Sequence, residues 1–240
     1  MIQTENLTRG FSLGREMILA LDGVTFEVQR GEYLTVTGPS GSGKSTLLMS
    51  LGGLLHPTSG RVMFDGIDIY RQSPRALAQF RTKTIGFVFQ QFHLVPYLTA
   101  WENVALPLML NGNNQGKHKQ IAVGLLERLD LGSRLNHKPS QLSVGQQQRV
   151  AMARTLANDP SVILADEPTG SLDPNLTADL LSLLKDLNDE GKTIILVTHS
   201  NEVAMAGDRH VSLRDGRIQG ALGRGTTSSL ERVRVRSSES

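Results

Sequence analysis

The 240-residue chain has no cysteine, so neither a disulfide framework nor a thiolate metal site is available to it. It has no apolar run near the ~18 residues that a membrane helix needs. Its first residues, Met1-Ile2-Gln3-Thr4-Glu5, lack the basic segment and apolar stretch of a secretory signal, so none is expected. Aromatic residues are few, at 5% of the chain, with a single tryptophan. Net charge is small: 25 Lys and Arg stand against 23 Asp and Glu, for a formal +2. The pI near 9.0 would suit a nucleic-acid binder only if the basic excess formed a patch. It does not, because the excess sits in residues 221–240, where Arg224, Arg232, Arg234 and Arg236 face only Glu231 and Glu239. The rest of the chain is neutral, and no nucleic-acid partner is expected. The terminal segment is rich in Ser, Thr and Gly and reads as a solvated, disordered tail. The alternative for its Arg-Val-Arg-Val-Arg stretch is contact with acidic lipid headgroups.

What the sequence does contain is an alternation of short apolar runs with longer helical patterns. Tyr33–Thr37, Ile85–Phe89, Val162–Ala165 and Thr193–Thr198 are continuous apolar runs of the kind that parallel strands buried on both faces produce. Ser45–Leu55 reads as a helix, and so do residues 175–189, opened by Asp173-Pro174 and closed by Gly191. This pattern predicts an α/β layer with a mostly parallel sheet. Residues 1–32 and 61–70 read instead as short strands and turns of a smaller antiparallel sheet. Residues 99–158 read as mainly helical, interrupted by a polar loop at 111–116.

Gly38-Pro39-Ser40-Gly41-Ser42-Gly43-Lys44-Ser45, followed by Thr46, fits the phosphate-loop pattern GxxxxGK[ST], and it lies between a predicted strand and a predicted helix. Glycines let the backbone bend so that several N–H groups face one anion, and the positive helix end adds to the field. Lys44 would reach the β- and γ-phosphates, and Ser45 would ligate Mg²⁺. GTPases, kinases, recombinases and transport ATPases share this loop, but the N-K-x-D motif of guanine recognition is absent. Further along, Val162–Ala165 runs into Asp166 and Glu167. Successive strand side chains point to opposite sides, so Asp166 can face the metal while Glu167 serves the attacking water. Phosphoanhydride hydrolysis needs both functions.

Between these motifs lies Leu142-Ser143-Val144-Gly145-Gln146, followed by an apolar helix to about Leu156. The order GPSGSGKST, LSVGQQQ, VILADEPTGSLD, VTH resembles the nucleotide-binding subunits of ATP-binding cassette (ABC) transporters over roughly residues 1–220. The fold implied is a P-loop NTPase core with an antiparallel β subdomain and a helical subdomain at about 91–158. The implied activity is ATP hydrolysis driving a separate membrane permease, which would place the chain in the cytoplasm at the inner face of the membrane.

The resemblance also carries site roles. Gln90 matches the glutamine that senses Mg²⁺ and the attacking water, although the neighbouring Gln91 allows a slip by one. His199 matches the switch histidine at the γ-phosphate. Ser143, Gly145 and Gln146 match the signature loop, which binds the γ-phosphate held by a second copy; Val144 departs from the family's glycine there. Ser143 also suits a helix N-cap. Asp173 matches the loop that packs across the dimer, and Asp173-Pro174 equally suits a helix start. Phe11 stands where the family carries an aromatic that stacks on adenine, with a core aromatic as the plain alternative.

Six of the chain's aromatics fall between residues 80 and 101. Phe87 and Phe89 read as core. Phe92 to Trp101, with Leu106–Leu110, is unusually apolar for a loop region. It reads either as internal packing or as the groove that receives the permease. The run GFVFQQFHLVPYLTAWENVALPL resembles the branch that serves lipoprotein release, macrolide efflux and antimicrobial-peptide resistance. The same cassette also suits signalling through a permease-like partner, as in cell division. A soluble ABC ATPase acting on nucleic acid or ribosomes fits less well, because this chain has one copy of each motif and no long coiled-coil insertion.

Overall fold

The computed structural model describes residues 1–14, 16–110 and 116–223. The polar loop at 111–115 and the tail arginines lie outside the described residues. The central sheet has six strands in the order β10-β9-β3-β8-β7-β6. These are β3 (Tyr33–Thr37), β6 (Ile85–Phe89), β7 (Val162–Asp166), β8 (Thr193–Thr198), β9 (Arg209–Arg214) and β10 (Arg217–Gly223). All neighbours pair in parallel except β9 and β10, which form an antiparallel edge. The last strand runs to Gly223, three residues past the boundary that the tail composition suggests.

The strands read as continuous apolar runs because each of their faces meets a different core. Tyr33, Ile163, Ala165, Ile194 and Leu196 pack on one side, among the helices. Leu34, Val36, Val162, Leu164, Ile195 and Val197 pack on the other. That second side is covered by helix α1 (Lys44–Leu51) and by a four-stranded antiparallel sheet of order β2-β1-β4-β5. The small sheet comprises β1 (Ile2–Leu13), β2 (Glu16–Val28), β4 (Ser59–Phe64) and β5 (Ile67–Asp68).

Two expectations are corrected here. Residues 1–32 form two long strands of 12 and 13 residues, not several short ones. Register shifts along the β1–β2 pair break the period-two pattern, and that makes the segment look like separate pieces in the sequence. Helix α1 stops at Leu51 rather than Leu55. Gly52 lies so close to β6 that a Cβ would sit 2.0 Å from the Phe87 ring, and Gly53 adopts φ 69.

Helix α2 (Pro74–Thr84) is capped by Ser73 and leads into β6. Helices α3 (Ala100–Leu110), α4 (His118–Arg128) and α5 (Val144–Leu156) then pack together as the helical part of the chain. Helix α6 (Pro174–Asp189) and the short α7 (Asn201–Ala204) complete the layer. Phe87 and Phe89, expected as core, are half-buried and stack on each other with ring centroids 5.5 Å apart.

The register of the central sheet positions the site. Thr37 pairs with Thr198, Asp166 with Val197, and Phe89 with Asp166. Four adjacent parallel strands therefore end at one level. The loops that follow them carry the phosphate-loop residues, Gln90, Glu167 and His199 at a single edge, the carboxyl end where open α/β sheets bind ligands.

Candidate functional site

The phosphate loop bridges β3 and α1. Gly43 caps α1 with φ 102 and offers no side-chain oxygen, so the first-turn amides are left for an external acceptor. A side chain at Gly43 would place its Cβ 2.1 Å from the Ala20 carbonyl, in a conformation that L residues disfavour. Lys44 is buried, and its ammonium donates to the carbonyls of Gly38 (2.9 Å) and Pro39 (3.2 Å). The loop is thus folded around its own cation.

One side chain from a neighbouring strand end meets that cation directly, and two more gather around it. Glu167 Oε1 lies 3.6 Å from Lys44 Nζ. The other oxygen of Glu167 accepts the His199 backbone N–H at 3.2 Å and lies 2.9 Å from His199 Nδ1. Ser45 donates its hydroxyl to Asp166 Oδ1 at 3.0 Å. The two carboxylates do diverge as the sequence predicts, but for a different reason. The strand ends at Asp166, and Glu167 turns into the left-handed region (φ 46) while its N–H bonds Val197. That turn, not strand alternation, aims Glu167 at Lys44 and His199. It belongs to the class of backbone strain found where a side chain must be aimed.

Burial pushes the Asp166 carboxyl above the usual carboxylate range, helped by the neighbouring Glu167 charge and opposed by the Ser45 hydroxyl and by Lys44. A raised folded-state pKa means that ionising Asp166 costs fold stability at neutral pH. Asp166→Asn should therefore melt at a higher temperature than the parent at pH 7 without nucleotide. The gap should narrow as pH falls through the Asp166 transition, because the parent carboxyl then becomes neutral too. Calorimetry across that pH range checks it.

An open cavity of about 400 Å³ is lined by Ala20, Ser40, Gly41, Ser42, Gly43, Lys44, Ser45, Thr46, Gln90, Glu167 and His199. Gln90 lies on this wall and Gln91 does not. The side-chain amide of Gln90 packs on Gly170, and the Gln90 backbone carbonyl accepts from the Ser171 hydroxyl at 3.4 Å. Ala20 was not legible as a site residue, since its side chain carries no polar group. The cleft between α4, α5 and α6 is smaller, at about 260 Å³, and is lined by no phosphate-loop residue.

The remaining motif residues are not on the cavity wall. Ser143 caps α5 by accepting the Gln146 N–H at 3.3 Å, while the Gln146 side chain accepts the Ser143 N–H at 3.0 Å. This reciprocal capping box leaves the helix end exposed, with Val144 half-exposed beside it. Gly145 has a packing reason as well, because a Cβ there would lie 2.5 Å from Leu176 of α6. Asp173 caps α6, accepting from the amides of Asn175 (2.9 Å) and Leu176 (3.0 Å). Phe11 projects from β1 with its ring 42% exposed and the Arg9 guanidinium 4.7 Å above it, so it is not a core aromatic.

The family model of the ABC transporter matches residues 21–170, which include the phosphate loop, the signature turn and the strand ending in Asp166 and Glu167. The chain belongs to the ABC transporter family. It is 52% identical over 215 residues to an ABC transporter ATP-binding protein of Thermotoga maritima, covering 90% of this chain and 92% of that one. It is 46% identical over 218 residues to the macrolide export ATP-binding/permease protein MacB of Hyphomonas neptunium, spanning 91% of this chain but 34% of that longer protein. The branch read from the Gly86–Leu108 run agrees with this similarity. Among solved structures, the ATP-binding cassette MJ0796 matches with TM-score 0.86 at 44% identity, over 94% of this chain and all of that one. That cassette was solved as a dimer in a post-hydrolysis state bound to ADP and Pi. The present chain is accordingly an ABC cassette ATPase with the expected P-loop NTPase core.

Proposed function

We propose that this cassette works as a head-to-tail dimer that closes on two ATP molecules and drives a separate membrane permease. The observation that carries this reading is the split of the motif residues. One chain groups the phosphate loop, Gln90, Glu167 and His199 around a cavity, with Asp166 bonded to Ser45 at its edge. Its capped helix end at Ser143–Gln146 points its chemistry elsewhere. A second copy would bring Ser143, Gly145, Gln146 and Asp173 to the open side of the cavity. The dimeric state of the MJ0796 cassette supports the same arrangement. Phe11 would stack on the adenine ring.

Residues suited to Mg²⁺ are present. Ser45 Oγ and Asp166 Oδ1 are two oxygen donors already 3.0 Å apart. No group of three or more carboxylates and imidazoles exists among the described residues. Such a sparse set fits an ion that binds through one or two protein oxygens together with substrate phosphates and water. Gln90 would reach the same ion, and Asp166 would hold it through a water. When bound, Mg²⁺ supplies positive charge beside the phosphate oxygens.

In the reaction, Glu167 accepts or orients the proton of the attacking water, and His199 fixes the Glu167 carboxylate. Lys44 leaves the Gly38 and Pro39 carbonyls to neutralise the β- and γ-phosphates. The α5 end of the second copy faces the γ-phosphate with free amides. Loss of that phosphate removes the contacts that hold the two copies together, and the dimer opens.

Among the described residues no helix is long and apolar enough to cross a membrane. In this proposal a separate permease is the membrane-spanning partner, and the cassette sits with it at the cytoplasmic face. The docking surface is the stretch Phe92–Trp101 with the adjoining end of α3. Tyr97 is 73% and Leu110 86% exposed there. The MacB relatives, which are named as combined ATP-binding/permease proteins, support this pairing. A tagged cassette should co-purify with an integral membrane protein from its native membranes, and that protein should stimulate its ATPase rate. Phe92→Ser combined with Tyr97→Ser should lose both effects while keeping the basal rate. If the double variant kept both, the docking surface would be misassigned.

A further inference from the structure

We propose that Arg154 is a positioning residue that carries the state of the signature end of α5 to the loop after Gln90. Arg154 lies in the last turn of the same helix whose first turn holds Ser143–Gln146. Eleven residues separate Ser143 from Arg154, so the two ends are on the order of 16 Å apart along one rigid element. The Arg154 guanidinium donates to the carbonyls of Phe92 (2.6 Å) and His93 (2.7 Å). The next residue, Thr155, donates its hydroxyl to the Phe87 carbonyl at 2.7 Å. Helix α5 is thus fastened on both sides of Gln90: to the strand before it and to the loop behind it.

The loop is built to receive such a fastening. His93 sits in the left-handed region at φ 47, with its ring edge-on to Phe89. Fully buried Asn103 accepts the Val95 N–H at 2.7 Å and donates to the carbonyls of Val95, Leu98 and Thr99. The loop backbone from Phe92 to Thr99 is therefore tied at one end by Arg154 and at the other by Asn103. It is a shaped element rather than a slack connection, and a displacement at Arg154 moves it as a unit.

The chemistry of Arg154 argues against a simple fastener. No carboxylate pairs with it among the described residues, and its partners are neutral carbonyls. Burial holds its pKa below the ordinary guanidinium value. A partly buried cation without a counter-ion is costly. A rigid planar fork, however, can grip two successive carbonyls and transmit rotation as well as translation, which a flexible lysine does poorly.

The single tryptophan supplies the probe. Trp101 follows the loop directly, packs half-buried against the helical core, and has the Lys119 ammonium 5.0 Å above its ring. The test uses the full chain in a Glu167→Gln background, with MgATP added and both dimer mass and Trp101 emission recorded. This inference rests on the ATP-closed dimer proposed above. The expected result is that ATP produces the dimer together with a Trp101 shift. Adding Arg154→Met should keep the dimer and reduce the shift at least about five-fold, and Arg154→Lys should give an intermediate shift. The lysine variant keeps a cation and a donor, so it serves if the methionine variant does not fold. A full Trp101 shift in both Arg154 variants would overturn the proposal. So would dimerisation of the Glu167→Gln chain with no Trp101 shift, which would leave the dimer reading standing. Failure of the Glu167→Gln chain to dimerise at all would remove the dimer reading and this inference with it.

Discussion

Glu167→Gln should lower ATP turnover by about 10²–10⁴-fold, the range that a positioned general base contributes, while leaving ATP binding intact. The carboxylate is held at 3.6 Å from Lys44 and at 2.9 Å from His199 Nδ1. Glutamine is nearly the same shape and can still accept the His199 backbone N–H. It cannot take a proton from water. The fold, the phosphate loop and the Ser45–Asp166 contact are left in place. With hydrolysis stalled, the ATP-bound dimer should accumulate, and light scattering should show twice the 26.2 kDa of one chain. Phosphate-release kinetics and light scattering on the same sample separate chemistry from binding. Turnover near the parent rate would remove Glu167 from its assigned role.

Lys44→Ala should fail at an earlier step. The ammonium is buried, held by two carbonyls, and placed between the loop and two carboxylates. Charge-assisted hydrogen bonds contribute about 1.5–3 kcal/mol each. Loss of those to two phosphates should weaken ATP binding on the order of 10²-fold or more. The carboxylates would also face the triphosphate with less compensating charge, and Asp166 is already pushed up by burial and by Glu167. The variant should show neither turnover nor an ATP-dependent dimer at nucleotide concentrations that saturate the Glu167→Gln chain. Titration calorimetry of both variants distinguishes the two failures: bound but stalled for Glu167→Gln, unbound for Lys44→Ala.

How much of this was legible from sequence depends on the element. Four of the six central strands match the apolar runs within a residue, because burial on both faces leaves only threonines as polar residues in Tyr33–Thr37 and Thr193–Thr198; β9 and β10, which carry arginines and are partly exposed, show no such run. The phosphate loop was legible because its spacing is itself the geometry: strand, tight turn, helix end. Long strands in residues 1–32 were not, since bulges shift the register and erase the period. The end of α1 is marked locally by Gly52-Gly53, a helix-stop pair that the apolar Leu54-Leu55 beyond it obscures. Gly52 is dictated by the distant ring of Phe87. Glu167 shows the subtlest case: its position was predicted, but its direction comes from a left-handed turn tied to Val197, a contact between strands that no local pattern reports. Arg154 and Asn103 were invisible for the same reason. Each reads as an ordinary polar helix residue until the fold places the loop backbone around it.

The proposed mechanism requires the nucleotide site to be shared between two copies. Mixing tests that directly. A Lys44→Ala chain has a disabled phosphate loop and an intact signature end; a Ser143→Arg chain has the reverse, at the expense of one helix cap of about 1 kcal/mol. Each alone should hydrolyse little ATP. In a mixed dimer, the phosphate loop of the Ser143→Arg chain meets the signature end of the Lys44→Ala chain, and one complete site forms. The ATPase rate of the mixture should exceed the summed rates of the two variants measured apart. A mixture with no gain over that sum would show that each chain completes its own site, and would contradict the account.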